Sequence, residues 1–226
     1  MAHYHVLFNG EIYNHAALYD EFLCPQKLLW DTGTDTEVLI KLHRILSSIE
    51  VYTQLSGMFT YVVYDRLREK LLVGRDTVGE KFLYSYEDDR QLIRSSEVGP
   101  ILRLVPGIKM DRDVLREYFF TRHLLTSQQT VWKGIQLIPP GQFREYDLTE
   151  PGWRPVLCER SLSSLIDPQR IEDNKKRTED SLIEEMEAVC TEAARDLCPH
   201  LPYASVVSGG IDYSLASWFM AENDNK

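Results

Sequence analysis

Three stretches of this 226-residue sequence carry residue types that could do chemistry. The first is Asn9-Gly10-Glu11-Ile12-Tyr13-Asn14-His15, which follows a short apolar run over residues 5–8. The run reads as a strand that stops at Asn9-Gly10, because Asn and Gly tolerate positive φ and favour a tight turn. Such a turn leaves an amide side chain and a backbone N–H free to point into a cleft. Two donors converging on one point are what an oxyanion hole needs. Asn-Gly taken alone reads first as an ordinary hairpin or loop turn. The second stretch is Asp31-Thr32-Gly33-Thr34-Asp35-Thr36-Glu37, where Asp35 falls in the first turn of a helix. The helix dipole favours a carboxylate there, and taken alone Asp35 reads as an ordinary helix-start residue. The third is Ser208-Gly209-Gly210-Ile211-Asp212-Tyr213-Ser214. A strand, a glycine loop and a helix in that order present backbone N–H groups to an anion. No Lys follows the glycines, so the loop is not the GxxxxGK[ST] type, and two glycines alone are equally a tight turn.

The elements that must position these stretches are legible from pattern. Asn14 can cap a short helix with Leu18 and Phe22 at helical spacing. Thr34 and Glu37 make a capping box ahead of a helix faced by Val38, Leu39, Leu42, Ile45 and Leu46. Residues 58–64 and 70–73 read as strands joined by the polar segment 65–69, and two short strands over 82–86 and 91–94 flank Asp88-Asp89. Together they predict an antiparallel meander. Asp111 can cap a helix carrying Leu115, Tyr118 and Phe119, and Pro140-Gly141 is a turn signal. Periodicity then vanishes, and Pro151, Pro155, Pro168 and the charged run 170–177 mark a linker over 149–177. Thr178 opens an amphipathic helix with Leu182, Met186, Val189, Cys190, Ala193 and Leu197, ended by Pro199 and Pro202. Residues 203–207 read as a buried strand running into the glycine loop, with a helix starting over 215–220.

Composition narrows the class. A hydrophobic fraction of 43% and a charged fraction of 27% describe a soluble globular protein. The net charge of -10 argues against nucleic acid as a partner. No apolar run approaches membrane-spanning length, and the start Met1-Ala2-His3-Tyr4 is no signal peptide. Cys24, Cys158, Cys190 and Cys198 form no CxxC pair and no metal-ligand spacing with the six His, which suits a reducing cytoplasm.

The motifs as whole units carry more than their parts. NGEIYN with His15 and Leu18, then TGTDTE, resembles the glutaminase domain of glutamine-dependent asparagine synthetases, a class II amidotransferase. The run Gly74-Arg75-Asp76-Thr77-Val78-Gly79-Glu80-Lys81-Phe82-Leu83-Tyr84 resembles the same family, with Phe82 where the family usually has Pro. Ser96-Glu97, residues 130–135 and residues 139–143 continue the match, and all of these read as scaffold. The SGGxD loop with Ser214 behind it is similar to the pyrophosphate loop of ATP pyrophosphatases, the second domain of that family. The resemblance runs in the family's order from about Val6 to about Met220.

The resemblance implies an α+β, Ntn-like glutaminase fold with antiparallel sheets and flanking helices over residues 1–148. It implies the beginning of an α/β ATP-pyrophosphatase domain over residues 178–226. It assigns Asn9 and Gly10 to the oxyanion hole, and Asn9, Gly10, Glu11 and Asp35 to glutamine. Val207, Ser208, Gly209, Gly210 and Ser214 would hold ATP phosphates, with Asp212 reaching them through Mg²⁺. The implied activity is that of a ligase. Ammonia from glutamine displaces AMP from aspartate that ATP–Mg²⁺ has adenylylated, giving asparagine. Expected partners are these small molecules, with neither nucleic acid nor membrane, and a homodimer is one assembly open to it.

Three departures bear on activity. The family's thiol nucleophile sits at a mature N-terminus, whereas this sequence begins Met1-Ala2 and Cys24 lies inside the chain. The sequence ends at Lys226, soon after the pyrophosphate loop, so it reads as truncated at both ends. Tyr213 replaces the Ser expected after the loop Asp, and its ring either sits beside the phosphates or packs in the core. The expectation is an incomplete or inactive form. The alternatives are a non-catalytic glutamine-binding or regulatory homologue, or another amide-forming ligase of the superfamily.

Overall fold

The computed structural model describes residues 3–124, 126, 128–149, 152–197 and 203–224. Met1, Ala2, Pro151, Cys198, Pro199, Pro202 and Lys226, singled out above, lie outside the described residues. The chain divides into two compact units, Met1–Leu165 and Ile166–Lys226.

The first unit is built on an antiparallel five-stranded sheet. Its strands are β1 (Tyr4–Ile12), β2 (Gly57–Asp65), β3 (Lys70–Arg75), β7 (Gln142–Asp147) and β8 (Val156–Glu159), in the order β1-β2-β3-β7-β8. Strand β1 alternates. Tyr4, Val6, Phe8 and Ile12 turn to one face, while His5, Leu7, Asn9 and Glu11 turn to the other and stay exposed. On the first face lies the larger core. The helices α1 (His15–Leu18), α2 (Asp35–Ile45) and α3 (Ser48–Gln54) bury Leu18, Val38, Leu39, Leu42, Val51 and Tyr52 against Ile12, Phe59, Tyr61, Val63 and Phe143. On the second face Val73 and Tyr146 pack with Leu83 and Ile138. These flank a three-stranded sheet of β4 (Tyr84–Glu87), β5 (Leu92–Ser95) and β6 (Ile135–Leu137), ordered β5-β4-β6. Helices α4 (Val98–Leu104) and α5 (Arg112–Thr121) follow β5, and Asp111 caps α5 by accepting from the Asp113 and Val114 N–H groups. The first unit is α+β with antiparallel sheets.

Several local expectations need correction. Strand β1 does not stop at Asn9-Gly10: it runs on to Ile12, because β2 pairs with it residue for residue as far as Gly57. Asn14 precedes α1 but does not cap it with its side chain. That side chain instead joins the end of α3 to the start of β2, donating to the Gln54 carbonyl (2.8 Å) and accepting from the Ser56 N–H (3.0 Å). Only half of the capping box at α2 forms, the Thr34 hydroxyl accepting from the Glu37 N–H. The stretch read as a linker contains β8, which extends the sheet, and helix α6 (Pro168–Asn174). Its low periodicity reflects an edge strand with exposed Val156 and Leu157, not a lack of structure.

The second unit holds α6, α7 (Glu179–Leu197) and α8 (Ile211–Asp224). Residues 203–207 are not a strand and are largely exposed, with Val206 86% accessible. A buried strand needs neighbours to satisfy its N–H and C=O groups, and no strand is described in this unit to supply them. No described helix is long and apolar enough to cross a membrane.

One buried titratable group sets a pH dependence. His43 of α2 is 3% exposed, and burial pushes its pKa down to about 4 against the pull of Glu145 and Asp65. The unfolded chain therefore takes up a proton between about pH 6.5 and about pH 4 that the folded chain refuses. Stability conferred above pH 6.5 is lost as pH falls through that window, by about 3 kcal/mol in total. Denaturant titrations at pH 7 and pH 4.5 should show this loss, and His43→Leu should remove most of it. An equal loss in His43→Leu would assign the effect to other groups.

Candidate active site

The site is built from the strand that carries Asn9, Gly10 and Glu11. Gly10 has φ of 140°, and a Cβ there would lie 1.9 Å from the Met58 carbonyl oxygen. Gly57, paired with Ile12 on the facing strand, is a second such position, where a Cβ would meet the Glu11 carbonyl oxygen at 2.1 Å. Two glycines therefore let β1 and β2 approach more closely than side chains permit. Gly10 is needed for this contact and not for a turn.

The direction of the N–H groups follows from the pairing. The Tyr13 N–H donates to the Ser56 carbonyl (2.8 Å), whereas the Ile12 N–H donates away from β2, to Oδ2 of Asp35 (3.1 Å). N–H groups two residues apart on a strand share an edge. The Gly10 N–H therefore faces the same open edge as that of Ile12, about 7 Å along it. Asp35 is thus tied to this edge. Its other oxygen accepts from the Thr36 N–H (2.6 Å) and hydroxyl (3.2 Å). A carboxylate offers about four acceptor positions. With three of them used, one is left for an incoming cation.

The loop before α2 is held by Glu37. Its carboxylate accepts from the N–H groups of Asp31 (2.7 Å) and Thr32 (2.6 Å) and pairs with Lys41, which also reaches Asp31 at 2.9 Å. Burial opposes the charge on Glu37, but the bonds from Lys41, Thr32 and the two N–H groups outweigh it and hold the carboxyl at about 2. Glu37 was read from sequence as a cap. It is a clasp that fixes the loop presenting Asp35.

Asn9 lines a cavity of about 300 Å³ together with Phe8, Thr60, Leu83, Arg94 and Ser96. Thr60 and Arg94 line this cavity although nothing in their own spacing marks them. Ser96 had been read as scaffold. Neither Cys24 nor Cys158 lines this cavity. The loop over residues 76–81 borders the Glu11–Tyr13 end. Burial raises the pKa of the Tyr13 phenol, helped by the charges of Glu80, Glu11 and Asp76. Arg75, 3% exposed, donates to the carbonyls of Lys81 (2.7 Å), Gly79 (2.7 Å) and Ile138, and its guanidinium lies 5.6 Å from the centre of the Phe82 ring. Phe82, at the position of the family's Pro, thus gains a cation contact of its own.

Asn9, Gly10 and Glu11 are consecutive on β1, and Asp35 is tied to the same strand through the Ile12 N–H. Val207, Ser208, Gly209, Gly210, Asp212 and Ser214 belong to the second unit. There the loop is exposed, Gly209 has φ of 83°, and the Ser214 N–H donates to the Gly210 carbonyl (3.1 Å) as α8 begins. Tyr213 is 62% exposed, so it does not pack in a core.

Residues 1–152 match the family described as a glutamine amidotransferase domain. A homologue from Methanocaldococcus jannaschii, described as a glutamine-hydrolysing asparagine synthetase, is 29% identical over 221 residues, 96% of this chain and 40% of that protein. Glutamine-hydrolysing asparagine synthetase 1 of Bacillus subtilis is 26% identical over 93% of this chain and 32% of its own length. Asparagine synthetase B of Escherichia coli is 37% identical over 46% of this chain and 19% of its own. The chain therefore spans 40% or less of the length of these relatives. The solved B. subtilis glutamine phosphoribosylpyrophosphate amidotransferase has a TM-score of 0.46 at 15% identity, over 69% of this chain and 29% of that one, which is too distant to argue from. The match over residues 1–152 covers about two thirds of the sequence, and the chain belongs to the glutamine amidotransferase domain family.

Proposed function

We propose that the first unit binds glutamine and serves, within an asparagine synthetase-like enzyme, the hydrolysis that releases ammonia. The observation that carries this reading is the shared strand edge. The Gly10 N–H and the Asp35 carboxylate stand on it together, with the Asn9 amide on the same strand. In the reading, Asp35 takes the α-ammonium and Glu11 adds negative charge beside it. The side-chain carbonyl of glutamine lies against Gly10 and Asn9, whose two donors stabilise negative charge developing on that oxygen. The attacking thiol is not assigned to Cys24 or Cys158.

The second unit is read as holding ATP with Mg²⁺. Residues 208–210 are exposed and lead directly into the N-terminus of the 14-residue helix α8, an arrangement that suits an anion. Val207, Ser208, Gly209, Gly210 and Ser214 would face the phosphates. Asp212, exposed in the first turn of α8, would meet them through Mg²⁺. When bound, ATP would supply the adenylyl group that activates an aspartate carboxylate, from which ammonia would then displace AMP. A glutamine-binding module without chemistry is the second reading, favoured by the placement of both cysteines outside the Asn9 cavity.

Calorimetric titration tests the glutamine reading. Glutamine is expected to bind, and Asp35→Asn should weaken it about ten- to hundredfold, as for a charge-assisted hydrogen bond. Unchanged affinity in a folded Asp35→Asn variant would remove the ammonium role.

A further inference from the structure

The most heavily used side chain in the first unit is one that the glutamine reading leaves without a role. Asp76 is 2% exposed. Its carboxylate accepts five backbone N–H groups: Phe59 (3.3 Å), Val78 (3.1 Å), Gly79, Glu80 (3.0 Å) and Lys81 (3.2 Å). Phe59 is the residue paired with Gly10, and Met58 beside it supplies the carbonyl that presses on Gly10.

The reason for this arrangement lies in the ladder. Strands β2 and β3 pair as far as Thr60 and Arg75. At the next step the Asp76 N–H still donates to the Phe59 carbonyl (2.9 Å), but the chain then turns off into residues 77–81. The Phe59 N–H would be stranded inside the protein, and the Asp76 carboxylate takes it up. The other oxygen of the same carboxylate gathers Val78, Gly79 and Glu80, and Lys81 donates to the oxygen that holds Phe59; the Glu80 charge of this loop reaches Tyr13. One side chain therefore holds the back of the Gly10 contact and the loop beside Glu11 and Tyr13.

We propose that Asp76 is a positioning residue for the oxyanion strand, setting the depth at which β2 presses on Gly10 and hence the place of the Gly10 N–H. This rests on the reading that the strand binds glutamine. A purely structural anchor would lower overall stability and leave the local geometry of Asn9–Glu11 alone.

The test compares the native chain with Asp76→Asn by amide NMR, well below the melting temperature. The variant keeps the shape but turns an NH₂ toward N–H donors. The Gly10 amide resonance should move, and the Asn9 and Glu11 amides, which bond to β2, should exchange at least tenfold faster. Amides of β7 and β8 at the far side of the sheet should keep their rates. Glutamine affinity should fall about tenfold in parallel. If Asp76→Asn does not fold, Asp76→Glu retains the charge on a longer arm and should displace the same three amides. Unmoved Asn9, Gly10 and Glu11 signals in a folded variant, or a uniform acceleration across all five strands, would overturn the proposal. Failure of the native chain to bind glutamine would overturn the functional reading alone, because the amide measurements need no ligand.

Discussion

Adding one methyl group at Gly10 is expected to cost the first unit about 2–6 kcal/mol, a large share of an ordinary domain's stability. Two terms combine in Gly10→Ala. A non-glycine residue held at φ of 140° carries about 1–3 kcal/mol of strain. The new Cβ would also stand 1.9 Å from the Met58 carbonyl oxygen and 2.6 Å from the Phe59 Cα, both backbone atoms that no rotamer change can move. Forcing strands apart in a packed core costs about 1–3 kcal/mol more. For a unit of this size each kcal/mol is about 2–4 °C, so the melting temperature should fall by about 4–24 °C. Gly33→Ala is the control. Gly33 also has positive φ (70°), but nothing lies within 4 Å of its Cβ position, so only the strain term remains. A melting temperature for Gly10→Ala equal to that of Gly33→Ala would show that the strands do not meet as described.

The second large effect is expected at Arg75. Its guanidinium is buried and spends its donors on three carbonyls, those of Gly79, Lys81 and Ile138. Arg75→Met keeps much of the volume and leaves all three oxygens without a donor. At about 1–3 kcal/mol for each buried group left unsatisfied, and with Val78 and Glu80 exposed so that water recovers part, the net cost is about 3–5 kcal/mol. Arg75→Lys should restore less than half, because one ammonium cannot span three carbonyls that a planar fork can. Urea denaturation of the three proteins checks the order. Equal stability of the Lys and native forms would show that charge alone matters at this position.

Much of this was legible in the sequence, and the failures have physical causes. The helix from Asp35 and its buried face of Val38, Leu39 and Leu42 followed from a 3.6-residue period, and the first three strands followed from their aromatic and β-branched content. Asn9-Gly10 was misread as a turn because local preference cannot report a partner strand more than forty residues downstream. The same blindness produced the opposite error at residues 203–207, where an apolar run looked like a strand and has none beside it among the described residues. Strand β8 was lost to the prolines around it, since its only signal is the neighbour β7. The motif residues Asn9, Gly10, Glu11 and Asp35 were singled out by type and order. Thr60 and Arg94 were not, because a cavity wall assembled from two sheets has no spacing along the chain.

The sheet order also constrains when the site can come into being as the chain folds. Closing β2 onto β3 needs only the short connection 66–69, so that hairpin carries little loop-closure entropy, whereas pairing β1 with β2 encloses residues 13–56 and their helices. Joining β7 to β3 encloses everything from residue 76 to residue 141. That step supplies the Gly141 N–H to the Asp76 carbonyl (2.7 Å) and the Ile138 carbonyl to Arg75. The strand bearing Gly10 can thus be in register while residues 76–81 are still loose, and the most distant pairing in the sheet is the one that locks them.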